Sequence, residues 1–341
     1  MKISVVMTSY NGENFIYEQL QSIYGQTLQP DEVIIFDDCS TDKTVSIVKS
    51  FITKHNLENW RLTVNPENKG WMYNFLEALK EAHGDFIFFS DQDDIWYLDK
   101  IEVMSRLMEQ YPIFCLNGKV TTIDSNGTIF EPKNKISTEN NLGNLVKYNF
   151  SAKFNTAILP GCSMCIKKTI ADIITQIDIK NCPYDEQCCR LGILLNGTYT
   201  LDKPVIHHRI HEHNTSNFMS GISFGSSNLQ KRIDSIENNI VWLESLLTSS
   251  RFQKFLSPKR NFFIKNTILF QKERLKFLKG KNILQFIRLF KFKKYYSGMP
   301  MYLGDFCYAF QINKLTGTIL WHVKLWKTCL LNYLTKKRTK Q

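Results

Sequence analysis

The chain has 341 residues, 43% hydrophobic, 13% aromatic and 22% charged, which excludes wholesale disorder, collagen-like sequence and a small disulfide scaffold. Its length predicts one large domain and a smaller appendage. The formal charge of +11 is uneven: from Arg251 onward 21 Lys and Arg face only Glu273 and Asp305, so the first 250 residues carry a net negative charge and two tasks are implied.

In chain order, Ile3 to Met7, Val33 to Phe36, Leu62 to Val64 and Phe86 to Phe89 are short apolar runs of the kind parallel strands show when both faces are covered. Helical spacing lies between them, over residues 13–24, 41–54 (with Ser40 or Thr41 as cap) and 72–82. This alternation predicts an α/β fold with a mostly parallel sheet and crossover helices. Residues 113–130 predict a hairpin around Ser125-Asn126-Gly127, followed by a loop to about Asn149. Further on come a strand over 158–166, helices over 170–177 and 185–195, and strands over 198–208 around Pro204. The Ser-, Gly- and Asn-rich stretch near 214–228 predicts a linker. The expected organisation is a catalytic domain over 1–215, a linker over 216–228 and a basic, mainly helical region over 229–341.

The opening MKISVVMTSYN turns polar too soon for a signal peptide, and nine cysteines are an odd number, so disulfides are not expected and a cytoplasmic setting is. The Asn-x-Thr/Ser triplets at Asn126, Asn196 and Asn214 are then ordinary turn residues. The longest apolar candidate near the end, Ile319 to Leu334, is interrupted by His322, Lys324 and Lys327, against a spanning helix.

In parallel sheets ligands bind beyond the carboxyl ends of the strands. Those ends read Thr8-Ser9-Tyr10-Asn11, Asp37-Asp38-Cys39-Ser40, Asn65 to Gly70, and Ser90-Asp91-Gln92-Asp93-Asp94. Asp91 and Asp93, two apart, can point to one side and share a hard divalent cation, Mg²⁺ or Mn²⁺. Taken alone, such a pair is a weak signal, because acidic turn residues after a strand are common.

Together, Ser4 to Asn11, Ile34 to Asp42 and Gly84 to Trp96 resemble the family 2 glycosyltransferases, whose fold is the GT-A nucleotide-sugar-binding domain, over roughly residues 1–215. The Ser-Asp-Gln-Asp-Asp-Ile-Trp run is most similar to the bacterial polysaccharide rhamnosyltransferase branch. The resemblance implies that Thr8, Tyr10 and Asp38 meet the nucleoside, that Lys69 meets the diphosphate with Gly70 allowing close approach, that Asp91 lies near ribose and metal, and that Asp93 binds the metal directly. Asp37 is left as a structural partner of Ser40 and Thr41. Pro183-Tyr184-Asp185-Glu186-Gln187 and His207-His208-Arg209-Ile210-His211 resemble the family's acceptor-side pattern. That pattern makes Asp185 the base of an inverting transfer, with Glu186 a rival, and brings His211 to the metal. Tyr-Asp-Glu-Gln departs from the His-Asp-Trp-Trp common in relatives, which puts the acceptor pocket in doubt. Gly161-Cys162-Ser163-Met164 resembles the segment lining the donor sugar.

The implied activity is metal-dependent transfer from a nucleoside diphosphate sugar, dTDP-rhamnose first or a UDP-hexose, to a glycan or lipid-linked acceptor. Two rivals stay open, a nucleotidyltransferase and a non-catalytic nucleotide-sugar-binding module. A zinc site from the clustered histidines with Cys162, Cys165, Cys182, Cys188 and Cys189 is a further alternative. The basic tail interleaves Phe252, Phe255, Phe262, Phe263, Phe270, Phe277, Phe286, Phe290 and Phe292 with Lys and Arg, and Trp321 and Trp326 precede Lys336-Lys337-Arg338. That pattern fits the anionic inner face of a membrane, or a homodimer interface; nucleic acid is not expected as a partner.

Overall fold

The computed structural model describes residues 1–129, 145–148, 160–179, 182–211, 229–296 and 298–310. The expected linker and the segment with Trp321 and Trp326 lie outside them. Packing divides the chain into two units, the described residues of Met1–Gly221 with Glu244–Asn261, and those of Ile222–Leu243 with Phe262–Gln341.

The first unit opens with β1 (Ile3–Ser9), α1 (Ile16–Tyr24), β2 (Glu32–Asp37), α2 (Thr44–Lys54), β3 (Trp60–Val64), α3 (Trp71–Glu81) and β4 (Phe86–Ser90). There follow β5 (Ile95–Trp96), α4 (Lys100–Gln110), β6 (Cys115–Ile123), β7 (Leu145–Tyr148), a 3-10 turn (Gly161–Ser163), β8 (Met164–Lys167), α5 (Lys168–Ile177), α6 (Tyr184–Leu194) and β9 (Thr198–Arg209). The strands form one sheet in the order β3-β2-β1-β4-β8-β6-β9-β5, with β7 on β9. Strands β1 to β4 are mutually parallel, which fits the expected α/β class. Their apolar runs are covered on both faces: Val5, Val6, Met7, Ile35, Phe88 and Phe89 have no exposed surface. Each such side chain contributes about 1.5–3 kcal/mol. Strand β3 differs, because it forms the sheet edge and leaves Val64 exposed.

Several local expectations are corrected, the first being that residues 145–148, expected as loop, pair with β9 as strand β7. The hairpin over 113–130 reduces to one bridge, Ile123 to Ile129, because β6 spends its length on β8 and β9 instead. The strands around Pro204 are one strand, β9, which stays continuous because β6 and β9 slip register at Gly118 to Val120 opposite Pro204. Helix α2 is not capped by Ser40 or Thr41: Ser40 turns back to Asp37, and Thr44 bonds Asp42.

Beyond the sheet come α7 (Leu229–Thr248), α8 (Ser250–Gln253), α9 (Pro258–Gly280), α10 (Ile283–Leu289), a 3-10 segment (Phe290–Tyr295) and α11 (Met299–Ala309). In the second unit Phe263, Phe270, Phe277 and Phe292 are buried, with Phe270 packed on Tyr295 and Tyr296. Asp305 is buried there too, between Arg232, Arg274 and Tyr296. Among the described residues of the basic region, most aromatics are therefore core residues. No helix among the described residues is long and apolar enough to cross a membrane.

Candidate active site

Because β1, β2 and β4 run in register, their carboxyl ends meet at one edge, with Met7 beside Ser90 and Ser9 beside Asp37. Asp37 is a structural acid there, accepting from the Ser9 hydroxyl and from the backbone and hydroxyl of Ser40. Asp38 is buried and accepts from the backbone N–H groups of Lys69 and Gly70, each at 2.8 Å, and from the Asn65 amide at 3.1 Å. Burial alone would raise its pKa, but these donors outweigh it and hold Asp38 below the usual carboxylate range. Asp38 thus pins the segment that enters α3. Gly70 takes φ 86° there, a conformation in which a Cβ would be strained.

Thr8 is nearly covered inside β1, whereas Tyr10 stands 47% exposed at the strand end. The Gln92 side chain accepts from Tyr10 N–H at 2.8 Å and donates to Tyr10 C=O at 2.9 Å, so one amide ties the β1 loop to the Asp91-Gln92-Asp93 turn. A Cβ at Gly12 would overlap the Gln92 amide, so a larger residue there would have to displace it. Lys69 is exposed and lies 4.9 Å from the centre of the Tyr73 ring.

Strand β9 delivers its end to the same edge. His211 Nε2 lies 2.8 Å from Asp93 Oδ2, and its ring stacks on Phe15. Arg209, almost fully buried, donates to the carbonyls of Asp93, Asp124 and Ser125 and to Glu18, which fixes the Asp93 backbone. His208 Nδ1 is 2.9 Å from Asp94 Oδ1. Burial pushes His208 down, but the Asp94 charge and hydrogen bond win and lift it to about 9. Asp91 rises to about 8, through burial first and then the neighbouring charges of Asp94 and Asp93.

Helix α6 starts where Tyr184 plugs between α3 and β4, its ring 4.1 Å from that of Phe75 and 4.5 Å from that of Phe89. This sets Asp185 in the first turn close enough to Asp91 for their charges to interact. Burial raises the Asp185 carboxyl to about 6. Glu186 is paired with Arg190, while Asp185 makes no ion pair among the described residues. The two rivals for the base are therefore in different chemical situations.

Sequence reasoning missed Gln92, Asp94 and Lys100. Lys100 is fully buried, donates to the Cys162 carbonyl at 2.7 Å and sits 3.5 Å from the Trp96 ring centre. Burial lowers its pKa to about 7. The helical pattern of α4 gave it no special mark, and only its place at the start of the helix that follows the acidic cluster was visible.

Asp94, Cys162 and His208 bring potential ligand atoms within 4.8 Å of one another. Burial raises the Cys162 thiol well above its ordinary value, so it stays protonated, and the adjacent Asp94 and His208 already pair with each other. That trio differs from the sequence's zinc candidates, of which only Cys162 and His208 take part. Asp91 and Asp93 offer hard oxygen atoms beside the His211 imidazole, donors of the kind Mg²⁺ or Mn²⁺ accepts, and the raised Asp91 carboxyl is one that a divalent charge would relieve.

An acid-lined carboxyl edge on a mostly parallel sheet defines a GT-A type domain, and solved structures agree. The crystal structure of Staphylococcus aureus TarS 1-349 in complex with UDP-GlcNAc matches with a TM-score of 0.54 at 21% identity, covering 81% of this chain and 73% of that one. The family model for glycosyl transferase family 2 matches residues 4–174, and the chain belongs to that family. A dTDP-rhamnosyl transferase, RfbG of Shigella flexneri, is 31% identical over 221 residues, 61% of this chain and 72% of that protein. The poly(ribitol-phosphate) beta-N-acetylglucosaminyltransferase TarS is 41% identical over 102 residues, which spans 29% of this chain but only 17% of TarS. WfgD of Escherichia coli, a UDP-Glc:alpha-D-GlcNAc-diphosphoundecaprenol beta-1,3-glucosyltransferase, is 33% identical over 127 residues, 37% of this chain and 49% of its own.

Proposed function

We propose that this chain is an inverting, metal-dependent glycosyltransferase that moves a sugar from a nucleoside diphosphate to a hydroxyl of a bacterial surface glycan or its lipid-linked precursor. The observation that carries the reading is the convergence of Asp91, Asp93, Asp185 and His211 at one strand edge. Asp93 and His211, with Asp91 beside them, would hold the metal, and the cation would supply neutralisation of charge on the departing diphosphate. Tyr10, Thr8 and Asp38 frame the nucleoside end, and Lys69 reaches toward the diphosphate. Asp185 accepts the acceptor hydroxyl's proton as that oxygen bonds C1 and the C1–diphosphate bond breaks. With a pKa near 6 it is ionised at neutral pH yet more basic than an ordinary aspartate.

Rhamnose from dTDP-rhamnose is the leading donor, supported by the likeness to RfbG. A UDP-hexose is the second reading, supported by the likeness to WfgD. The basic helical region associates with the anionic inner face of the membrane, where a lipid-linked acceptor would be met. The test is nucleotide release from a panel of dTDP- and UDP-sugars with Mn²⁺, with and without EDTA, alongside Asp93→Ala. Release of one nucleoside diphosphate, abolished by chelator and by the variant, is expected. Donor binding with neither hydrolysis nor transfer to lipid-linked acceptors would favour a binding module, and pyrophosphate release from sugar phosphate and NTP would favour a nucleotidyltransferase.

A further inference from the structure

We infer that α10, with the residues just after it, is the membrane-docking face, which deepens the proposed association with an anionic surface and rests on that reading alone. Helix α9 ends at Gly280; Lys281 follows with φ 52°, and the Asn282 side chain caps α10 by accepting from the N–H groups of Leu284 and Gln285. The new helix is amphipathic in an unusual sense. Its inner side is Leu289, buried, and Phe286, stacked on Tyr302. Its outer side is Ile283, Leu284 and Ile287, exposed by 56%, 66% and 59%, followed by Phe290 at 47%. At 100° per residue these four fall on one stripe.

Water is a poor partner for four large apolar side chains in one stripe. The stripe is bordered by Lys281, Arg288, Lys291, Lys293 and Lys294, all exposed and forming no ion pair among the described residues. No acidic residue occurs between Glu273 and Asp305. A second copy of the chain would bring an equally cationic rim against this one, and like charges oppose that pairing. Nucleic acid would satisfy the lysines but leave the aliphatic centre without a partner. An anionic lipid surface satisfies both, with acyl chains for Ile283, Leu284 and Ile287 and headgroup phosphates for the rim. The phenylalanines that sequence alone would have assigned to the membrane are largely the core on which this face is mounted.

The test is sedimentation of the full chain with vesicles of phosphatidylglycerol and phosphatidylcholine, against phosphatidylcholine alone. Binding to the anionic vesicles only, weakened by salt, is expected. The combined variant Ile283→Ser, Leu284→Ser, Ile287→Ser should lose about 10- to 100-fold in partitioning, and each of Lys291→Gln, Lys293→Gln and Lys294→Gln about fivefold. Because these side chains are exposed, circular dichroism and nucleotide release should stay at wild-type levels. Unchanged vesicle binding by the aliphatic variant, no binding by the wild type, or a wild-type dimer that the aliphatic variant converts to monomer would each overturn the assignment. Nucleotide release in solution is independent of vesicles, so failure of docking and failure of the transferase reading are separately visible.

Discussion

Asp91 in the first unit is half-buried and Asp305 in the second has no exposed surface, and their environments are opposite. Asp305 receives Arg274 at 2.6 and 2.8 Å, Arg232 at 2.8 Å and the Tyr296 hydroxyl at 2.9 Å. Burial alone would raise it, but the two guanidiniums overcome that and hold it below the usual range. Asp91 is surrounded instead by Asp93, Asp94 and Asp185 and rises to about 8. One carboxylate is internally satisfied and acts as a structural tie. The other is left frustrated, and groups kept that way at a strand edge are available to a ligand.

If that contrast is sound, damage to the two clusters should divide cleanly between activity and stability. Asp93→Ala should lower nucleotide release by about 10³-fold or more, with thermal unfolding close to wild type. Asp185→Asn should cost about 10²- to 10⁴-fold in transfer, and Glu186→Gln far less. In the wild type, transfer should fall as pH drops below about 6 and Asp185 becomes protonated, a limb that the Asp185→Asn profile should lack. Asp305→Ala should do the reverse, destabilising the second unit by about 3–5 kcal/mol in denaturant titrations while donor hydrolysis persists in the folded fraction.

The Asp94–His208 pair sharpens the comparison within the first unit, since it is satisfied although it adjoins the frustrated cluster. The folded pKa of His208, about 9, lies above its ordinary 6.5. Its stabilisation is therefore fully present below about pH 6.5 and lost as pH rises through 9. Melting temperature should decline across that window, and His208→Gln should flatten the decline. Conversely, Asp91→Asn should modestly raise the melting temperature of the metal-free protein above pH 4, because the wild-type carboxyl resists ionising in the fold.

Much of this was legible in residue pattern. The buried strands announced themselves because continuous apolar runs have few other uses, and the polar residues at their ends follow from topology. Asp91 and Asp93 were visible because they sit two apart after such a run. Asp94 was not, since its meaning depends on His208, 114 residues away. The path of β9 through Pro204 was hidden as well, because proline ordinarily ends a central strand and only the register slip opposite it allows the passage. In the basic region composition announced aromatic and cationic character but not which ring faces inward; that depends on partners such as Tyr295 and Tyr302.

The Gln92 amide spans 82 residues of sequence to grip both backbone groups of Tyr10. The loop proposed to meet the base and the turn proposed to meet the metal therefore form one preorganised body. Recognition at one end of a donor would align the other without further ordering, so affinity gained from the nucleoside is spent on orienting the scissile bond. A truncated donor that keeps the diphosphate but loses the base should then suffer in turnover as well as in binding.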